Sequence, residues 1–133
     1  DIARRIAAER IAPIAAECDR TGEFPMATIK VLGENGLMGI EVPHEYGGAG
    51  MDSIAYALAM IEIAAADCAH STIMSVNNTL YCNGLLKYGS EAQKRHYVTP
   101  IASGQAIGAF AAAVRRPAST AGCVCRSVHR GTQ

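Results

Sequence analysis

The chain has 133 residues, half of them hydrophobic, and its 12 basic side chains balance 12 acidic ones. That size and polarity suit one soluble domain with a single core. A formal charge of zero gives no reason to expect nucleic acid, an anionic membrane surface or a disordered charged tail.

The five cysteines, Cys18, Cys68, Cys82, Cys123 and Cys125, are odd in number, and the first three lie on helical patterns where cysteine acts as a small hydrophobe. This points to a reducing compartment. No run approaches the ~20 apolar residues of a membrane span. The chain opens on Asp1 inside a charged helical pattern rather than on a signal peptide, and the missing initiating Met suggests residues upstream. Every Asp and Glu lies at or before Glu91, whereas the stretch after Ala112 holds Arg115, Arg116, Arg126 and Arg130.

In chain order, "DIARRIAAERIAPIAAECDR" sets Ile2, Ile6, Ile11, Ile14 and Cys18 on one face of an amphipathic helix, with a kink or a fresh start expected at Pro13 and a stop at Thr21-Gly22. "PMATIKVLGENG" gives a second helix from about Pro25 to Glu34, and "LMGIEVP" is extended or irregular. After the glycine-rich "EYGGAG", Asp52 or Ser53 is a candidate N-cap for "SIAYALAMIEIAAADCA", a helix apolar almost all round and therefore expected to be buried on more than one side. "STIMSVNNTLYCNGLLKYG" is a fourth helix, with Ser71 or Thr72 as cap. "SEAQKRHYVTPIASG" restarts at Ser90 and is expected to break before Pro100. The expected fold is all-α, a bundle of about five or six helices over residues 1–104. A β segment is admitted near residue 107, in "AIGAFAAAV", at the start of a separate region 105–133.

Candidate chemistry is sparse. Gly47, Gly48 and Gly50 fit neither a Walker loop, which needs Lys-Ser or Lys-Thr after its last glycine, nor a G-x-G-x-x-G fingerprint; a tight turn is the preferred reading. Asn77 and Asn78 sit mid-helix among apolar residues, so they either brace a neighbour or meet a ligand, with bracing preferred. His44, His70, His96 and His129 show no metal spacing, and Cys123-Val124-Cys125 lacks a second cysteine pair. No metal and no nucleophile elbow is read.

Taken together, "GLMGIEVPHEYGGAG", "IMSVNNTLY" and "YGSEAQKRHYVTPIASG", in this order, resemble the amino-terminal helical domain of the acyl-CoA dehydrogenases, most nearly the short-chain, butyryl-CoA-like members. The similarity runs from about Ile2 to Ala111. It implies a flavoenzyme with a middle β domain and a carboxy-terminal helical bundle beyond this domain, usually a homotetramer. FAD lies between those two regions, and electron-transfer flavoprotein is the acceptor. In that reaction a glutamate of the carboxy-terminal bundle removes the α proton of an acyl-CoA while the β hydrogen passes as hydride to the flavin, giving the trans-2-enoyl-CoA.

The resemblance also implies substrate-binding candidates, Met74, Asn77, Asn78, Leu80 and Tyr81, on a helix lining the acyl slot. Its cofactor-binding candidates are Phe110, Ala112 and Ala113. No catalytic residue is assigned within the chain. After "AFA" the family continues into a hydroxyl residue followed by Glu-Pro; here Ala113 has no hydroxyl and the Glu-Pro is absent, so the tail reads as divergent or as translated in a shifted frame. The resulting expectation is the amino-terminal part of an FAD-dependent dehydrogenase, inactive alone, cytoplasmic in a bacterium or in the mitochondrial matrix of a eukaryote. The alternative is a helical interaction module without oxidoreductase activity.

Overall fold

The computed structural model describes residues 1–109 and, by their backbone pairing, two short strands, Ala111–Ala113 and Gly122–Val124. Among the described residues there are five helices: α1 (residues 2–21), α2 (Met26–Glu34), α3 (Ser53–Ala66), α4 (residues 68–88) and α5 (residues 91–102). The two strands, β1 and β2, pair antiparallel with Ala112 opposite Cys123.

Three of the helices contain a wide turn, in which an amide reaches back five residues instead of four. In α1 this turn spans Ala7–Ile11, and Ala12 N–H donates to the Ala7 carbonyl. Pro13 lies just beyond, within the first turn of regular winding from Ala12. A proline lacks the amide that would bind the carbonyl four residues back and its ring crowds that carbonyl; a wide turn ahead of it relieves both problems. The same device recurs in α5. A wide turn over Lys94–Val98 precedes Pro100, and the helix runs through the expected break to Ala102.

The caps are mostly local. Asp52 Oδ1 accepts from Ala55 N–H at 2.9 Å, and Ser90 forms a reciprocal capping box with Gln93. The cap of α4 is not Ser71 or Thr72, which lie inside the helix, but Asp67, whose carboxylate accepts from His70 N–H at 3.0 Å.

The buried stripe of α1 is Ala3, Ile6, Ala7 and Ile11, packed on α3 and joined in one core by Ile29, Leu32, Met38, Ile63 and Met74. Ile2 stands outside it, half exposed. A second core lies between α4 and α5 and holds Val42, Tyr46, Tyr81, Cys82, Val98 and Ile101. Helix α3 departs from expectation. It buries Ala59 and Ile63, but Ile54, Leu58 and Ile61, one face at helical spacing, are 70%, 60% and 64% exposed.

Between α2 and α3 the chain doubles back on itself. Ala49, Gly50 and Met51 donate to the carbonyls of Gly39, Val42 and Ile40 at 2.8, 2.9 and 2.8 Å. Gly47 and Gly50 take positive φ, 80° and 59°, a region that side chains disfavour. Gly48 is required for a different reason: a Cβ there would stand 2.1 Å from the Val42 carbonyl oxygen. Gly48→Ala is expected to cost about 2 kcal/mol, since the exposed loop can shift only part way; the midpoint of urea unfolding measures it.

Candidate functional site

The helix that carries the candidate substrate residues also carries the third wide turn, Val76–Cys82, where Asn83 N–H reaches back to the Asn78 carbonyl. Wide turns inside helices recur at functional positions, and here side chains take over the backbone's bonds. Asn78 Nδ2 donates to the Met74 carbonyl at 2.9 Å, and the Thr79 hydroxyl donates to the Ser75 carbonyl at 2.8 Å.

Asn77 and Asn78 are almost fully buried. Asn78 Oδ1 accepts from Ile40 N–H at 2.8 Å, and its Nδ2 also donates to the Leu37 carbonyl at 3.0 Å. Asn77 Nδ2 donates to the Met38 carbonyl at 2.7 Å, and its Oδ1 accepts from Gly108 N–H at 2.9 Å. The two amides serve a segment, residues 37–40, that has no sheet neighbour on this side to satisfy its backbone. Among the described residues no buried side-chain nitrogen or oxygen lacks a partner.

The other candidates divide by burial. Met74 and Tyr81 are buried in the two cores, whereas Leu80 is 45% exposed. Phe110 lies outside the described residues, and Ala112 and Ala113 are described only as backbone of β1. Two openings lie elsewhere. A groove of about 590 Å³ between the start of α1 and α3 is lined by Ile2, Leu37, Ile40, Met51, Leu58 and others, and a smaller cavity of about 270 Å³ is lined by residues that include Cys18, Phe24, Asp67 and His70.

A second polar cluster holds the start of α4. His70 is fully buried; its Nδ1 donates to the Asp67 carboxylate at 2.5 Å, and its Nε2 shares a 2.7 Å hydrogen bond with the Thr28 hydroxyl of α2. The same hydroxyl lies 2.9 Å from the Pro25 carbonyl, the acceptor of its one proton whenever His70 Nε2 is the donor to it. Burial acts to raise the Asp67 carboxyl, but hydrogen bonds from the His70 ring and from the His70 and Ala69 amides outweigh it, leaving the group below the usual carboxylate range. Sequence reasoning missed this cluster. Its signal was Asp67-x-x-His70 at a helix start, where the acid caps and the third helical residue can reach back to it.

Burial pushes the Cys82 thiol up to about 12, and the Tyr46 phenol is raised to about 12, chiefly by donating to Glu91 at 2.6 Å. No group of three or more His, Cys, Asp or Glu among the described residues is placed to hold a metal ion. No described helix is long and apolar enough to cross a membrane.

A helical domain whose fourth helix binds an irregular segment through paired asparagines, and whose last helix leads into a strand, defines the class of scaffold. The chain belongs to the acyl-CoA dehydrogenase family: residues 1–105 match the family described as "Acyl-CoA dehydrogenase, N-terminal domain". It is 48% identical over 108 residues to the human mitochondrial short-chain specific acyl-CoA dehydrogenase, covering 81% of this chain and 26% of that protein. It is 44% identical over 119 residues to an acyl-CoA dehydrogenase of Bacillus subtilis, covering 90% and 31%. Its fold superposes on butyryl-CoA dehydrogenase from Megasphaera elsdenii with a TM-score of 0.77 at 27% identity, over 89% of this chain and 31% of that one. The chain thus spans about a quarter to a third of the length of these relatives.

Proposed function

We propose that the chain serves as the amino-terminal helical scaffold of an FAD-dependent enzyme that oxidises short-chain acyl-CoA to the trans-2-enoyl-CoA, with electron-transfer flavoprotein as acceptor and a tetramer as the working assembly. The observation that carries this reading is the match to short-chain relatives across the whole helical domain, including the glycine loop and the Asn77-Asn78 turn. Helical residues 1–104 are one domain in this reading, and residues 105–133 begin the next. The site of action is the cytoplasm of a bacterium or the mitochondrial matrix of a eukaryote.

In that role Leu80 stands on the wall facing the acyl chain and the buried Met74 and Tyr81 back that wall, the bulk of Leu80 and Tyr81 favouring a short chain. Asn77 and Asn78 serve the wall by bracing, the reading that the residues alone favour, and not as the substrate contacts that the resemblance implies. Every polar atom of their side chains is engaged within the domain, so they shape the wall's backbone instead of meeting substrate.

The residues present do not by themselves fit a flavin, because the hydroxyl that the family pattern places at Ala113 is missing from the sequence. FAD and the catalytic base therefore belong to the parts of a complete subunit beyond this domain. The exposed face of Ile54, Leu58 and Ile61 is the surface such parts would cover.

Absorption spectroscopy tests the reading. With FAD alone the purified chain is expected to show the spectrum of free flavin. Mixed with a separately expressed remainder of the Bacillus subtilis relative, it is expected to give bound flavin that bleaches anaerobically on addition of butyryl-CoA. A folded mixture that binds no flavin would count against the dehydrogenase role and favour the interaction module.

A further inference from the structure

We infer that Asn77 and Gly108 form a fixed joint at the exit of the helical domain, with Asn77 as the positioning residue that sets the direction in which the chain leaves towards β1. Three observations meet there. Gly108 N–H is held by Asn77 Oδ1 at 2.9 Å, and Asn77 cannot swing because its Nδ2 is tied to the Met38 carbonyl at 2.7 Å. Gly108 also lies flat against the Tyr81 ring: a Cβ on it would stand 2.4 Å from Tyr81 Cγ and 2.8 Å from Tyr81 Cβ. Finally, Gly108 is buried whereas the next residue, Ala109, is exposed. The joint is the last point at which the described chain is gripped before β1 begins at Ala111.

The approach to this point is fixed as well. Ala106 N–H donates to the Pro100 carbonyl at 3.0 Å, and Ile107 packs against the first core. A flexible linker would leave the following strand free to sample directions; a backbone clamped by a buried amide and an aromatic ring does not. Both side chains that grip Gly108, Asn77 and Tyr81, come from α4, so the wall of the proposed acyl slot and the exit strand share one element. The proposed domain division supplies the purpose of the joint, not its geometry.

Amide exchange and residual dipolar couplings on the isotope-labelled 133-residue chain test the joint. Asn77→Leu removes the acceptor, and Gly108 exchange, referred to amides of α2, is expected to rise about tenfold, the equivalent of one ordinary hydrogen bond. Gly108→Ala lies at the edge of the domain and spares its core bonds; it is expected to change the couplings of Ala111–Ala113 while those of α3 persist. The joint is overturned if the wild-type couplings at Ala111–Ala113 average to near zero, or if Gly108→Ala leaves them as they were. Neither readout involves flavin, so failure of the dehydrogenase reading appears in the absorption experiment and failure of the joint appears here.

Discussion

Asn78→Leu is expected to lower the stability of the domain by about 4 kcal/mol, measured as the shift of the urea midpoint at unchanged slope. Leucine matches the volume of asparagine closely enough to enter the site, so the loss comes from what it abandons. Ile40 N–H and the carbonyls of Leu37 and Met74 lose a partner together, and each buried backbone group left unpaired costs about 1–3 kcal/mol. The Met74 carbonyl has a remedy, because the wide turn can close into regular winding, which is why the expected cost stays below the sum. A small domain has only about 5–15 kcal/mol in hand. Asn83→Leu is the comparison: its amide meets Glu41 at a long 3.4 Å, and a change well under that of Asn78→Leu is expected.

His70→Phe carries the second large effect, about 3 kcal/mol, because the ring joins two helices through bonds that phenylalanine cannot make. Thr28 keeps its bond to the Pro25 carbonyl, so the penalty falls mainly on Asp67, which is left with backbone donors only. The acid limb of stability should change too. Folding lowers the Asp67 pKa, so its stabilisation is complete above the unfolded value, about 3.9, and is lost as pH falls through the folded value. Without His70 the lowering shrinks, and the decline below about pH 4 should be shallower than in the wild type. It should not vanish. Glu62, hydrogen-bonded by Arg4, and Glu91, hydrogen-bonded by Lys94 and Tyr46, are also lowered and remain in place.

These two residues mark where sequence stops being informative. Helix ends at Gly22, Asp52 and Ser90 were legible because each cap is settled within four residues of itself. His70 was missed although Asp67-x-x-His70 carries a local signal, and its other partner, Thr28, is 42 residues away, beyond the reach of any local rule. The asparagine pair was legible in part. Mid-helix amides among apolar residues must be paired, so bracing was foreseeable, but the identity of the braced segment was not. Proline misled at Pro100, since local rules forbid a regular helix there without revealing that a wide turn can carry the chain past. The exposed face of α3 was misread for a different reason. Apolar composition all round a helix says that cover is favourable, not which chain supplies it.

The wide turns also bear on how the chain tolerates changes of length. Each amounts to one residue more than a regular helix needs, absorbed without disturbing the turns on either side. In α1 and α5 the surplus residue serves only the proline that follows, so a deletion there combined with loss of the proline would return the helix to ordinary winding. In α4 the surplus is anchored by Asn78 and Thr79 to the carbonyls of Met74 and Ser75. A one-residue deletion there could restore regular winding only by giving up those bonds and the hold of Asn78 on Leu37 and Ile40. The loss of a residue therefore disturbs least in α1 and α5 and most in the helix that bears the asparagines.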